Sequence, residues 1–158
     1  MPVLTTSGKN LICIGRGCDY IIRTNGLTIT RDIVNQTITL DGTADSNNVA
    51  YSLDTLFTQK IKTGEKYALS CYLISGTADR IGFRVNARDW SNSMGCYVNA
   101  PVYKTFNKDV VYDGCTFRAD AGATFNNAVF KVMFERVDVN TNLTPYEPHK
   151  SNILTTPE

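Results

Sequence analysis

Apolar and polar residues alternate with a period of two along most of the chain. The segment 66–74 (KYALSCYLI) is a clear case, since successive side chains of a strand point to opposite faces and every second residue here is apolar. The segment 80–88 (RIGFRVNAR) alternates in the same way. Its apolar face holds Ile81, Phe83, Val85 and Ala87. Apolar residues at helical spacing never extend beyond about three turns, so the pattern predicts an all-β fold.

Further strands are predicted where shorter alternating runs stand between glycine, aspartate and asparagine residues. They are 11–14, the two halves of 27–42 (LTITRDIVNQTITLDG), 49–53, 96–98, 102–106, 110–117 and 128–137. Asp41-Gly42 is interpreted as a turn, and one short helical turn is predicted near 54–59. Turn residues at intervals of about ten favour a two-sheet antiparallel β-sandwich, or jelly roll, over a βαβ fold.

The domain organisation is simple. No Pro/Gly/Ser-rich linker divides the 158 residues, and a chain of this length can bury about two-thirds of its extended surface in one core. We expect one β-sandwich domain over 10–148, preceded by an N-terminal arm (1–9) and followed by a C-terminal tail (149–158). Both ends are poor in large apolar residues, so they are expected to be extended or to become ordered only by contact with another chain.

The overall charge excludes two classes of partner. Sixteen Lys and Arg stand against fifteen Asp and Glu, which leaves a net charge of +1. A charge so near neutral leaves few spare cations for phosphate contacts and gives no general attraction to anionic membranes, so neither nucleic acid nor membrane is expected as a partner. The start MPVLTTSGKN lacks a basic stretch followed by an apolar run, so we expect a soluble protein without an export signal.

The five cysteines are expected to be free thiols made in a reducing compartment. They lie at positions 13, 18, 71, 96 and 115. An odd number at scattered spacings fits neither a complete disulfide framework nor a paired zinc motif.

No catalytic, metal or cofactor site is expected. The chain has one histidine, His149, which lies beside a proline in the tail, where nothing local is expected to orient it as a general base. Phosphate-loop, dinucleotide and zinc-protease motifs are absent from the sequence. A pair of facing carboxylates, as a glycosidase needs, is not excluded by sequence, but most acids stand in turn contexts. The oxygen-rich segment 41–47 is interpreted as a turn rather than a calcium loop, because the distal glutamate of an EF-hand is missing.

The segment from the arginine-bearing strand 80–88 to residue 97 is the best candidate for a glycan-binding surface. The candidate residues are Arg80, Arg84, Arg88, Trp90, Asn92 and Tyr97. Aromatic faces stack on sugar rings, and amide and guanidinium groups donate hydrogen bonds to hydroxyls or grip carboxylates and phosphates. The alternative is that Trp90 folds back as a core plug and that the arginines form a solvated, ion-paired face or contact a neighbouring subunit.

Several short motifs follow one another in order from residue 10 to residue 148. They are NLI (10–12), GLTIT (26–30), TITLDGTA (37–44), TGEKYALS (63–70), NAVFKVM (127–133) and TPYEP (144–148). In this order they resemble the carbohydrate-binding-module-like jelly-roll domains of bacteriophage tail and baseplate proteins. The chain departs from that family at Val132, where proline is usual, and at His149, which replaces a closing aromatic residue. The shared positions are scaffold positions, and Tyr146 between two prolines is interpreted as a rigid structural end-stop.

The resemblance implies a non-enzymatic structural protein of the virion, located in the tail, baseplate or a fibre, whose jelly roll contributes to attachment to a host-surface glycan. The alternative is a capsid decoration or head-fibre protein anchored to the shell by its N-terminal arm. Either role implies other virion proteins as partners, with self-association as a further option, and no cofactor. The expected location is the virion, with synthesis and assembly in the cytoplasm of the bacterial host.

Overall fold

The computed structural model describes residues 3–5, 9–47, 49–137, 144–149 and 153–155. These residues contain thirteen strands and no helix. The strands are β1 (Val3–Thr5), β2 (Ile21–Thr24), β3 (Leu27–Asp32), β4 (Thr37–Thr43), β5 (Val49–Asp54), β6 (Gln59–Ile61), β7 (Lys66–Ala78), β8 (Ile81–Ala87), β9 (Met94–Tyr97), β10 (Val102–Thr105), β11 (Val110–Ala119), β12 (Thr124–Val137) and β13 (Ile153–Thr155). No helix in this part of the chain has the length and apolar character needed to cross a membrane.

Two antiparallel sheets form the body of the protein. Sheet I has six strands in the order β10-β7-β12-β4-β3-β2, and sheet II has the order β5-β11-β8-β9 with β6 also pairing with β11. From β4 onward most consecutive strands lie in opposite sheets, as in a jelly roll. The expected two-sheet antiparallel β-sandwich is therefore confirmed.

The core lies between the two sheets and has an aromatic centre. Phe134 is fully buried, and its ring lies 5.1 Å from Tyr67, 6.0 Å from Phe57 and 5.6 Å from Tyr112 between centroids. The period-two alternation of β8 appears directly in its burial, because its apolar residues are buried and Arg84 between them is exposed. The sequence pattern therefore oriented this strand correctly, with one face toward the core and one toward solvent.

Residues 11–14 were predicted as a strand, but the segment 10–14 is irregular. It covers the edge of β12 in sheet I and is called here the edge cover. The pairing of β4 with β12 ends at Phe130, so the second half of β12 would have a free edge. Asn10 occupies that edge: its Nδ2 donates to the Val132 carbonyl oxygen at 3.0 Å, and its Oδ1 accepts from the Phe134 amide at 3.2 Å. The backbone amide of Leu11 donates to the Phe134 carbonyl oxygen at 2.8 Å. These bonds satisfy an edge that would otherwise be open to pairing with another chain.

Two local predictions are wrong for identifiable reasons. Residues 54–59 form no helical turn, because the Asp54 side chain accepts from the Leu56 amide at 3.1 Å and holds the chain in a tight bend between β5 and β6. Asp41-Gly42 is not a turn either, since both residues lie inside β4. The tight connection is Asn25-Gly26, with φ of 48° and 79°, and it joins β2 to β3 as positive-φ hairpin turns do.

The closing segment 144–149 packs on sheet I. The backbone amide and hydroxyl of Thr144 donate to the two carboxylate oxygens of the buried Glu135, at 3.2 and 2.6 Å. The Tyr146 hydroxyl donates to the Gln36 carbonyl oxygen at 3.4 Å, and burial raises the pKa of Tyr146 to about 12. The interpretation of Tyr146 as a structural end-stop is therefore confirmed.

His149 belongs to the same packing. Its Nδ1 lies 2.8 Å from the carbonyl oxygen of Asn10, an acceptor, so Nδ1 carries the proton. No local partner was expected to orient this histidine, and the partner found is 139 positions away along the chain, where the tail and the edge cover meet. An ion pair between Lys9 and Glu147, at 3.7 Å, joins the same two segments. His149 therefore helps to fix the tail.

The two chain ends contact each other. Val3–Thr5 pairs antiparallel with Ile153–Thr155, with Leu4 opposite Leu154. These six residues are extended, which was one of the two expected states, and they pair with each other rather than with another chain. A ribbon of two strands is marginally stable by itself, and this one is separate from sheets I and II in hydrogen bonding.

All five cysteines are free, and only Cys18 is not fully buried. Burial raises the pKa of Cys96 to about 12 and raises the pKa of Cys71 and Cys115 well above the usual value of a thiol. Thiolates are the reactive form of cysteine, so these three side chains behave as small apolar core residues.

Candidate functional site

The outer face of sheet II is built from two rows of side chains that cross four strands. The first row is Ala50, Arg118, Gly82 and Tyr97. The second row is Ser52, Thr116, Arg84 and Gly95. Neighbouring strands lie about 4.8 Å apart, so each row spans about 14 Å.

Apart from Ser52, the residues of these rows line the floor of an open cleft of about 650 Å³, called here the sheet II cleft. Ala50, Gly82 and Gly95 place little or no side chain on the floor, which makes this face concave. Asn86 and Trp90 continue the lining beyond the second row. Small residues therefore alternate with larger ones on adjacent strands, and this arrangement leaves a hollow in the outer face of sheet II.

Trp90 stands at one end of the cleft and is exposed. Its side chain is 66% exposed, and its backbone has φ of 53°, a conformation that bulky residues rarely adopt. Two backbone hydrogen bonds hold it there, from the Trp90 amide to Ala87 and from the Ser93 amide to Trp90, each 3.0 Å long. The alternative that Trp90 is a core plug is wrong. Backbone strain of this kind often marks a binding position.

Polar contacts brace the loop that carries Trp90. The Asp89 carboxylate pairs with the Lys108 ammonium at 3.0 Å and accepts from the Asn92 side-chain amide at 2.9 Å. The ion pair with Lys108 and the hydrogen bonds from Asn92 lower the pKa of Asp89. The hydroxyl of buried Tyr112 donates to the Asn92 carbonyl oxygen, and burial raises the pKa of Tyr112. Asn92 therefore stabilises the loop.

Tyr97 stands on β9, where the first row ends. Its ring lies over Gly82, where an added Cβ would meet the ring at 3.6 Å. The Arg80 guanidinium lies 4.1 Å from the Tyr97 ring centroid, a distance at which a cation is attracted to an aromatic face. Tyr97 also lines a smaller hollow of about 240 Å³ on the side of Arg80. Arg80 therefore supports the ring from outside the sheet II cleft.

The arginines of the candidate surface have different environments. Arg88 pairs with Asp113 at 2.6 Å and does not line the cleft. Arg84 lines the cleft and is exposed, and its side chain has no ion pair or hydrogen bond to any residue in the described ranges. The alternative of an ion-paired face therefore holds for Arg88 and not for Arg84.

Sequence reasoning missed several residues of the cleft, above all Arg118. The predicted strand 110–117 ended two residues too early, since β11 runs to Ala119, and Arg118 is an exposed residue of the part that was missed. Like that of Arg84, the side chain of Arg118 has no hydrogen bond or ion pair within the described part of the chain. The alternation in β11 could have shown that Arg118 faces outward. Only the pairing of β11 with β8 could have shown that it lies beside the strand of Arg84.

The cleft has the chemistry of a binding site. No aspartate or glutamate lines it, so it lacks the carboxylate pair of a glycosidase. Within the described residues no group of three or more histidine, cysteine or acidic side chains is placed to hold a metal ion. In the segment 41–47, Asp41 accepts instead from the Asn127 amide at 3.0 Å.

Comparisons with known proteins leave the family open. No family model matches the chain, and no curated protein matches it. A solved structure named "BiXyn10A CBM1 APO" is similar over 85% of this chain and 89% of that chain, with a TM-score of 0.37 and 11% sequence identity. The fold assignment therefore rests on the two sheets themselves.

Proposed function

We propose that this chain is a non-enzymatic structural protein of a bacteriophage virion, part of the tail, baseplate or a fibre, whose β-sandwich binds a host-surface glycan. The observation that carries the binding role is the sheet II cleft, which has an exposed aromatic side chain at each end. Its floor carries two arginines that have no ion-pair partner among the described residues. Such open clefts suit extended ligands, because both ends of the ligand can continue into solvent.

Sugar chemistry fits this lining. One face of a sugar ring carries C–H groups that pack on aromatic rings, and its hydroxyls accept hydrogen bonds from amide and guanidinium groups. Trp90 and Tyr97 supply the rings, and Asn86 and Thr116 supply neutral polar groups between them. The absence of an acid in the lining supports binding without turnover.

The binding role is tested with the full chain and its purified variants on host cells and on a glycan array. Trp90→Ala removes a ring, and Gly95→Val fills the floor, where an added Cβ has room 3.6 Å from the Phe83 carbonyl oxygen. We expect each variant to bind at least about tenfold more weakly, equivalent to about 1.4 kcal/mol. The matched control is Tyr20→Ala, which removes an aromatic ring that is 62% exposed and outside the cleft.

Thermal unfolding shows whether the variants remain folded. Unchanged glycan binding in both Trp90→Ala and Gly95→Val would contradict the role of the cleft, as would release of sugar products from any bound polysaccharide.

The virion role is supported by the ordered motifs between residues 10 and 148 and is tested on particles. We expect antibody-labelled protein at the tail or baseplate in electron micrographs of intact phage. Deletion of residues 1–9 should leave that labelling in place, since the motifs belong to the domain 10–148. Labelling of the capsid that disappears with this deletion would instead favour the decoration protein, and the absence of label from particles would contradict both roles.

A further inference from the structure

Two arginines of the sheet II cleft carry charges that no acid in the lining of the cleft offsets. Arg84 and Arg118 are exposed and have no carboxylate partner within the described ranges. Six cations outside the cleft pair with acids. These are Lys9, Arg16, Lys62, Arg88, Lys108 and Arg136. The cleft therefore carries two positive charges and no acid, although the net charge of the whole chain is only +1.

The register places the two arginines at one point of the cleft. Arg84 is opposite Thr116, and Arg118 is opposite Gly82, so the two arginines are diagonal neighbours on adjacent strands. Diagonal neighbours lie about 7 Å apart, and two guanidinium groups on long side chains can reach one anion from that spacing. The Arg84 guanidinium extends over the floor, since an added Cβ on Gly95 would lie 4.0 Å from its Nε.

An aromatic ring adjoins this point. Tyr97, Gly82 and Arg118 follow one another in a single row. Tyr97 and Arg118 are therefore separated by two strand spacings, about 10 Å, with only a glycine between them. Arg80 lies against the Tyr97 ring at 4.1 Å and acts as a positioning residue for it.

We propose that the sheet II cleft binds an acidic glycan, one that carries a carboxylate or a phosphate group. The anion lies between Arg84 and Arg118, and the sugar that bears it packs against the Tyr97 ring, which itself covers Gly82. This inference rests on the proposed glycan-binding function and adds the ligand class. A neutral sugar would cover two like charges without neutralising them, whereas an acidic one replaces their water with charge-assisted hydrogen bonds.

The test compares matched ligands on the full chain by titration calorimetry. The probes are a uronic-acid oligosaccharide, its carboxyl-reduced neutral form, a sugar-phosphate polymer, and the same polymer after removal of phosphate. We expect at least one acidic probe to bind about tenfold or more tightly than its neutral counterpart. The acidic probe with the larger gain in affinity over its neutral counterpart identifies carboxylate or phosphate as the natural anion. Binding of that probe should weaken as salt increases.

Arginine variants identify the residues that hold the anion. Arg84→Gln and Arg118→Gln should each weaken acidic binding about tenfold and weaken binding of the neutral counterpart much less, so that the preference for the acidic probe falls. Arg84→Lys should retain part of the affinity because it keeps charge but loses the planar fork. The matched control is Arg23→Gln on the edge strand β2, which removes an exposed charge outside the cleft. It should bind as the unchanged protein does.

The outcomes separate this inference from the function on which it rests. Equal affinity for acidic and neutral probes, with loss in Trp90→Ala and no change in Arg84→Gln or Arg118→Gln, would overturn the acidic ligand and keep glycan binding. Arginine-dependent binding of inorganic phosphate with no gain from the attached sugar would also overturn it. Failure of every probe and of host cells to bind would overturn both.

Discussion

Phe134→Ala is expected to lower the free energy of unfolding by about 4 kcal/mol, the usual range for loss of a buried aromatic side chain being about 3–5 kcal/mol. Phe134 is fully buried, and its ring contacts the rings of Phe57, Tyr67 and Tyr112. These neighbours come from both sheets and from the connection between β5 and β6. Because several rigid rings surround the site, the structure cannot easily collapse into the cavity, and the cost stays in the upper part of the range.

Chemical denaturation measures this loss, and thermal unfolding should show a midpoint lower by about 10 °C for a chain of this size. Phe134→Leu should lose less than half as much, since it keeps most of the apolar volume. Tyr20→Ala, at an exposed site, should change the free energy of unfolding by less than about 0.5 kcal/mol. A loss below about 1 kcal/mol in Phe134→Ala would show that this ring does not occupy the centre of the core.

Asp54→Ala is expected to lower the free energy of unfolding by about 3 kcal/mol. The Asp54 side chain is fully buried and accepts from Arg16 Nε at 3.0 Å, Arg16 Nη2 at 2.6 Å, and the amides of Cys13 and Leu56 at 3.1 Å each. Alanine leaves the guanidinium and two backbone amides without their partner, and unsatisfied buried donors are costly. We place the loss at the lower end for a broken buried ion pair, because 36% of the Arg16 side chain is exposed to water that screens its charge.

A double-mutant cycle with Arg16→Met separates the ion pair from the backbone contacts. The coupling energy between the two positions should be about 1–2 kcal/mol. Asp54→Asn should be less damaging than Asp54→Ala, since one oxygen remains to accept from the backbone. A coupling energy near zero would mean that Asp54 stabilises the protein only through Cys13 and Leu56.

Prediction from sequence was most successful where the relevant interactions are local. The alternation of 80–88 oriented β8 with its apolar face to the core and Arg84 to solvent. Tyr146 was correctly interpreted as a structural end-stop from the prolines at 145 and 148, whose fixed φ angles bracket Tyr146-Glu147. The edge cover around Asn10 was mistaken for a strand, since its role depends on β12, more than 120 positions away along the chain.

The candidate site shows the same division. The sheet II cleft is lined by Arg84, Trp90 and Tyr97, three candidates that came from a single stretch of sequence. Arg88 and Asn92 are occupied by contacts with Asp113 and with the loop of Trp90. No pattern along the chain shows whether a surface arginine has found a carboxylate partner, because partners come from other strands.

The alternating sequence alone determined that this chain forms strands, which face of the best strands enters the core, and that a tryptophan and several arginines cluster near the end of one strand. Tertiary structure decided which strands are neighbours, and so it placed Arg118 beside Arg84 and left Gly82 and Gly95 as an open floor. The physical reason is that side-chain direction follows from the local geometry of a strand, whereas strand pairing is set by the whole core. The cleft is a product of that pairing.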